Sequence, residues 1–97
     1  MYKVKTDRDF ADLKQEIGRY IMEPAYPERD HRLWDEFHNA CDEIEGKICR
    51  LHNRPVGKPF QLPLGKKLDG EIINLVGVLL DWLSAKGAET LVRKWRG

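Results

Sequence analysis

Residues 30–52, DHRLWDEFHNACDEIEGKICRLH, decide the fold class of this chain. Their apolar positions recur at three- and four-residue steps, which is the period of an α-helix. At about 100° per residue these positions fall within an arc of roughly 120° and form one buried face. The face consists of Leu33, Trp34, Phe37, Ala40, Cys41, Ile44, Ile48 and Leu51. The stretch therefore predicts a long amphipathic helix, capped by Asp30 and ended by Asn53 and Pro55.

Two shorter segments have the same helical period. Residues 7–22 follow Thr6, a good N-cap, and end before Pro24. Their apolar stripe is Phe10, Leu13, Ile17, Tyr20 and Ile21. Residues 88–95 form the second segment, with its apolar side made of Leu91, Val92 and Trp95. Each segment predicts a helix with one buried face.

The most apolar segment, residues 69–86, is also predicted to be a helix, ended by Gly87 at the C′ position. Apolar residues lie on almost every side of it. A helix of this kind either forms the centre of a core or also faces a partner. The four helices predict an all-α bundle of three to four helices in a single domain, residues 1–97.

Residues 54–67, RPVGKPFQLPLGKK, interrupt the helical pattern. Three prolines spaced four apart prevent both a helix and a central strand, so we predict an extended arm on the surface. Connections between helices usually take about 2–8 residues, so the length favours a partner-binding arm over a plain connector. The predicted contact residues are Arg54, Pro55, Lys58, Pro59, Phe60, Leu62, Pro63, Leu64, Lys66 and Lys67.

Composition describes a globular chain with an uneven distribution of charge. The 97 residues are 41% hydrophobic and 34% charged, which excludes a disordered chain and a membrane protein. Net charge is only +1, so direct binding to nucleic acid is not expected. Residues 23–45 are rich in Asp and Glu, whereas residues 46–68 contain Lys and Arg but no acidic residue. We expect the basic arm, rather than the acidic segment, to contact a partner.

The N-terminal residues are polar and contain no apolar signal sequence. The most apolar run, residues 72–83, is too short to span a bilayer, which needs about 20 residues. In a chain without an export signal, two cysteines are expected to be reduced thiols. The predicted location is the cytoplasm.

His38, Cys41, Cys49 and His52 form an H-x2-C…C-x2-H pattern that resembles a zinc site. The two cysteines are separated by eight residues, or about 12 Å along one helix. Zinc ligands lie about 2.0–2.3 Å from a single ion, so one continuous helix cannot supply both. We predict that Cys41 packs in the core, with the other three flanking it, and that the chain holds no metal or other cofactor.

An alternative function rests on carboxylates. MazG-type nucleotide pyrophosphohydrolases hold Mg²⁺ between an E-x-x-E pair and an E-x-x-D pair on two helices, because Mg²⁺ requires several oxygen ligands. Here Glu71 to Asn74 resembles an E-x-x-D pair that ends in Asn, and residues 42–45 offer DEIE in place of E-x-x-E. With both pairs incomplete, and with no nucleophile or phosphate-loop motif, we predict a protein that is not an enzyme.

In size, helical character, basic Pro/Gly-rich centre and lack of catalytic motifs, the chain resembles the small anti-RecBCD proteins of temperate lambdoid enterobacterial phages. The likeness covers the whole chain and rests on general character, not on a diagnostic motif. It implies a non-enzymatic modulator that binds the RecC subunit of the host RecBCD helicase–nuclease and favours phage recombination. A host prolyl isomerase is a further implied partner, because residues 54–67 contain three X-Pro bonds.

Overall fold

The computed structural model describes residues 3–22, 31–53 and 65–96. Within these ranges the chain forms four α-helices and no strand, so the predicted all-α bundle is confirmed. The helices are α1 (Asp7–Met22), α2 (His31–Leu51), α3 (Gly70–Ala85) and α4 (Glu89–Arg96). Each end lies within one residue of the predicted end. Predicted features at Pro24, Asp30 and residues 54–64, including Pro55, lie outside the described residues.

Local hydrogen bonds explain where α1 and α3 begin. Thr6 Oγ1 accepts the N–H of Asp9 at 3.3 Å, while Asp9 Oδ2 accepts the N–H of Thr6 at 3.0 Å. This reciprocal pair is a capping box with Asp in the place of Glu. Asp69 caps α3 through Ile72 N–H at 2.9 Å. After α3, Gly87 has a φ of +92°, which a residue without a Cβ adopts at little cost.

The core lies between α1, α2 and α3, with α4 packed against α3. α2 contacts both α1 and α3, and α3 contacts both α2 and α4. Each element contributes buried apolar side chains, and short segments beside the helices add Val4, Leu68 and Ala88. The largest fully buried apolar side chains are Phe10, Leu13, Ile17, Phe37, Ile48, Ile72, Leu80 and Leu83. Among the described residues, no helix is long and apolar enough to cross a bilayer.

The predicted buried faces of α1 and α2 are wrong at Tyr20 and Leu51. Each of these side chains is 40% exposed. At the end of α2, Cys49 is 7% exposed and the His52 side chain 6%, so these two face the interior instead of Leu51. The cause is tertiary, because residues from the start of α1 and the segment before α3 contact this side of α2. Tyr20 lies at the edge of the α1 stripe, beside α4 residues such as Leu91.

α4 is joined to α1 by polar contacts. Lys94 Nζ and Trp95 Nε1 both donate to the Glu16 carboxylate. The hydrogen bond from Lys94 is the main reason that the pKa of Glu16 is below its ordinary value. The N–H of Lys3 also donates to the carbonyl oxygen of Trp95 at 2.8 Å. A helix as short as α4 is thereby held in place at its C-terminal turn.

Candidate functional site

Of the predicted contact residues, Lys66 and Lys67 belong to the part of the chain that the structure describes. Both are exposed, and within that part neither side chain forms an ion pair. The remaining predicted residues, from Arg54 to Leu64, lie outside the described residues. The part of the predicted site that the structure describes is the arm base, defined as residues 65–68, and both Asp7 and His52 contact it.

Asp7, the first residue of α1, attaches the arm base to the fold. Its side chain is fully buried, and its Oδ1 accepts the N–H groups of Gly65 and Lys66 at 2.7 and 3.1 Å. The N–H of Asp7 donates in turn to the carbonyl oxygen of Lys66 at 3.0 Å. Gly65 has a φ of +75°, a conformation that favours glycine. One buried carboxylate thus positions two consecutive backbone N–H groups.

Backbone pairing extends this attachment. Thr6 and Lys67 form an isolated antiparallel bridge, and Leu68 N–H donates to the carbonyl oxygen of Lys5 at 2.9 Å. Leu68 itself is buried in the core. The chain therefore enters α3 along a fixed path, with the Lys66 and Lys67 side chains on the surface.

His52 connects the arm base to the end of α2. Its Nε2 lies 3.0 Å from the carbonyl oxygen of Lys67, and its Nδ1 lies 3.9 Å from Asp7 Oδ2. Because a carbonyl oxygen only accepts, Nε2 carries a proton. Asn53, which follows, has a φ of +56°. The described residues on the two sides of the arm, up to Asn53 and from Gly65, are consequently held at one place on the bundle.

The long-range contacts of Asp7 and His52 were not predicted from the sequence. Asp7 was predicted only to begin a helix, and His52 only to flank the core. The partners of Asp7 lie 58 and 59 residues away, and that of His52 lies 15 residues away. No local pattern in the sequence indicates these contacts.

The four residues of the zinc-like pattern are spread along α2, and the last of them, His52, directly follows the end of the helix. His38 packs edge-on against Trp34, with ring centroids 4.3 Å apart, while Cys41 is fully buried in the core as predicted. His52 contacts the arm base. Within the described ranges, no group of three or more His, Cys, Asp and Glu side chains is arranged to hold a metal ion.

Cys41 should be chemically protected in the folded protein. Burial raises the pKa of its thiol from 9.0 to about 12. Because the thiolate is the reactive form, a Cys49→Ser variant should react with Ellman's reagent at about pH 8 roughly a thousandfold more slowly when folded than when unfolded in urea. The absorbance of the released thiolate follows the reaction. Equally fast reaction in both states would place Cys41 at the surface.

Two carboxylates of the hydrolase alternative, those of Glu45 and Glu71, form interhelical ion pairs. Glu45 pairs with Lys14 of α1, and Glu71 pairs with Lys47 of α2 at 2.8 Å. Asn74, at the incomplete end of the E-x-x-D pair, is exposed. Glu45 and Glu71 thus join α2 to both neighbouring helices, and each contacts its own lysine.

No protein-family model, curated protein or solved structure matches this chain.

Proposed function

We propose that this protein acts by binding another protein through the arm and the arm base, without chemistry of its own. The observation that supports this most directly is the contact between the buried Asp7 carboxylate and the backbone of the arm base. A buried carboxylate is costly unless hydrogen bonds compensate its lost hydration, and here those bonds hold the backbone of Gly65 and Lys66. The fold therefore stabilises one position of the arm base.

A positioned arm base favours association for two physical reasons. Contact groups that are already ordered lose less conformational entropy on binding than groups that must first be immobilised. The exposed charges of Lys66 and Lys67, which form no ion pair with another described residue, attract an acidic surface and repel a basic one. The partner we propose is accordingly a protein with an acidic patch or groove.

The resemblance to the anti-RecBCD proteins suggests the target. Under this proposal the protein binds the RecC subunit of the bacterial RecBCD helicase–nuclease and changes its response to recombination signals, to the benefit of phage recombination. A host prolyl isomerase is proposed as a second partner at the X-Pro bonds of the arm.

Charge reversal at the arm base tests the proposal. We expect Lys66→Glu combined with Lys67→Glu to weaken binding to purified RecBCD by at least about tenfold, because two attractive contacts become repulsive. Biolayer interferometry gives the dissociation constant. Arg19→Glu combined with Arg93→Glu makes the same change of charge at exposed positions, one in the last turn of α1 and one on α4, and should leave binding nearly unaltered.

Two outcomes would contradict parts of the proposal. If the unaltered protein does not bind RecBCD, that target is wrong, and affinity capture from bacterial lysate followed by mass spectrometry identifies another. If the two charge-reversal variants weaken binding equally, the arm base is not the contact surface.

A further inference from the structure

A second surface, separate from the arm base, lies between α2 and α3. The two helices run antiparallel, with Lys47 beside Glu71 at one end and Glu36 beside Trp82 at the other. Between them is an open groove of about 170 Å³. Its apolar lining is Ala40, Ile44, Leu75, Val78, Leu79 and Trp82.

The α3 side of this groove is apolar and exposed. Val78 is 63% exposed, more than any other large apolar side chain that the structure describes. Scattered apolar side chains are common on protein surfaces, but Val78 continues into a concave apolar surface formed with Leu75 and Trp82. The excess apolar character of residues 69–86, noted from the sequence, is thus located on a particular face of α3.

The α2 side of the groove is acidic. Glu36 and Glu43 both line it, and they are seven residues apart, which is about 10.5 Å along the helix. The neighbouring Asp35 and Asp42 are also exposed. Within the described residues Glu43 forms no ion pair. Glu36 accepts the Trp82 indole N–H at 3.0 Å, and Lys86 Nζ is 4.0 Å away.

The volume of the groove and the charge of its lining together indicate which kind of ligand it binds. The groove is smaller than the roughly 300–1,000 Å³ of typical small-molecule sites, and its volume suits one large apolar side chain. A second copy of this chain, packed on the groove about a two-fold axis, would bring a second set of Glu36 and Glu43 carboxylates into the same interface, which is unfavourable. A cationic segment of another protein can insert one apolar side chain into this volume, and its positive charges are attracted by Glu36 and Glu43.

We propose that this groove binds a cationic amphipathic helix of another protein. One large apolar side chain of that helix enters the groove beside Val78 and Trp82. Lysine or arginine residues about one turn before and one turn after it face Glu36 and Glu43, because seven residues of a helix lying along α2 span the same length as the separation of the two carboxylates. The groove shares no residue with the arm base, so this proposal is independent of the proposed function.

The test uses a defined peptide. The probe is a roughly 17-residue, alanine-rich, acetylated and amidated helix with one central leucine and a lysine one turn to either side. Titration into the ¹⁵N-labelled full chain, followed by NMR, should show saturable shifts centred on Ala40, Val78 and the Trp82 indole. Matched peptides that replace leucine by alanine, or both lysines by glutamate, should bind at least tenfold more weakly.

Protein variants complete the test. Val78→Asp, and Glu36→Gln combined with Glu43→Gln, should each weaken binding of the leucine–lysine peptide at least tenfold. Met22→Asp, a change at another exposed apolar side chain, should not. Circular dichroism establishes that each variant is folded.

The proposal is overturned if binding does not saturate, if the glutamate peptide binds equally well, or if Met22→Asp has the same effect as Val78→Asp. It is also overturned if sedimentation shows a dimer that Val78→Asp converts to a monomer, since a second copy would then occupy the groove.

Discussion

Replacing Asp7 by alanine should lower the free energy of unfolding by roughly 3–5 kcal/mol, the largest effect that we expect from a single polar substitution in this chain. The carboxylate is fully buried and accepts two backbone N–H groups, those of Gly65 and Lys66. A hydrogen bond to a charged group contributes about 1.5–3 kcal/mol, and its loss here leaves two donors without their acceptor. Urea unfolding, monitored by circular dichroism, measures the change.

Two controls distinguish this role from a general effect of charge. Asp12→Ala removes a carboxylate from an exposed position of the same helix and should change stability by less than about 0.5 kcal/mol. Asp7→Asn keeps an acceptor oxygen and should lose less than Asp7→Ala. If Asp7→Ala and Asp12→Ala were equally mild, Asp7 would not hold the arm base.

Asp7 also connects stability to the proposed function. Because its hydrogen bonds order the backbone beside Lys66 and Lys67, loosening them should raise the entropic cost of binding at this surface. The charge-reversal variants, in contrast, alter exposed side chains and should leave stability almost unchanged. Stability and affinity therefore separate the role of Asp7 from that of the two lysines.

Replacing Ile48 by alanine should cost roughly 2–5 kcal/mol, whereas replacing Leu51 should cost less than about 1 kcal/mol. Both residues belong to the apolar face predicted for residues 30–52. Ile48 is fully buried in the core, but Leu51 is 40% exposed. Removing buried methyl groups loses transfer free energy and leaves a cavity, and a partly exposed leucine incurs little of either cost.

Urea unfolding also measures the losses of stability caused by Ile48→Ala and Leu51→Ala. Both variants have alanine, a strong helix former, on the same helix, so intrinsic helix propensity cannot account for a large difference. Equal losses of stability would mean that Leu51 is buried in solution and that the buried face of α2 does not turn toward Cys49 and His52 at its end.

The sequence alone determined the four helices and most of their buried faces. The signals concerned are local, because an apolar period links residues three and four apart and a cap acts within one turn. Thr6 with Asp9, Asp69 with Ile72, and Gly87 all illustrate this. Phe37, Cys41, Ile44 and Ile48 are buried as predicted for the same reason.

Only the tertiary structure decided how the helices use their remaining surfaces. The exposure of Leu51, the burial of His52 and the attachment of residues 65–68 to Asp7 depend on segments far apart in the chain. The groove beside Val78 likewise depends on which side of an apolar helix its neighbours leave uncovered. Periodicity places a residue on a face of its own helix, but the neighbour of that face is set by the packing of the whole bundle, which no local pattern records.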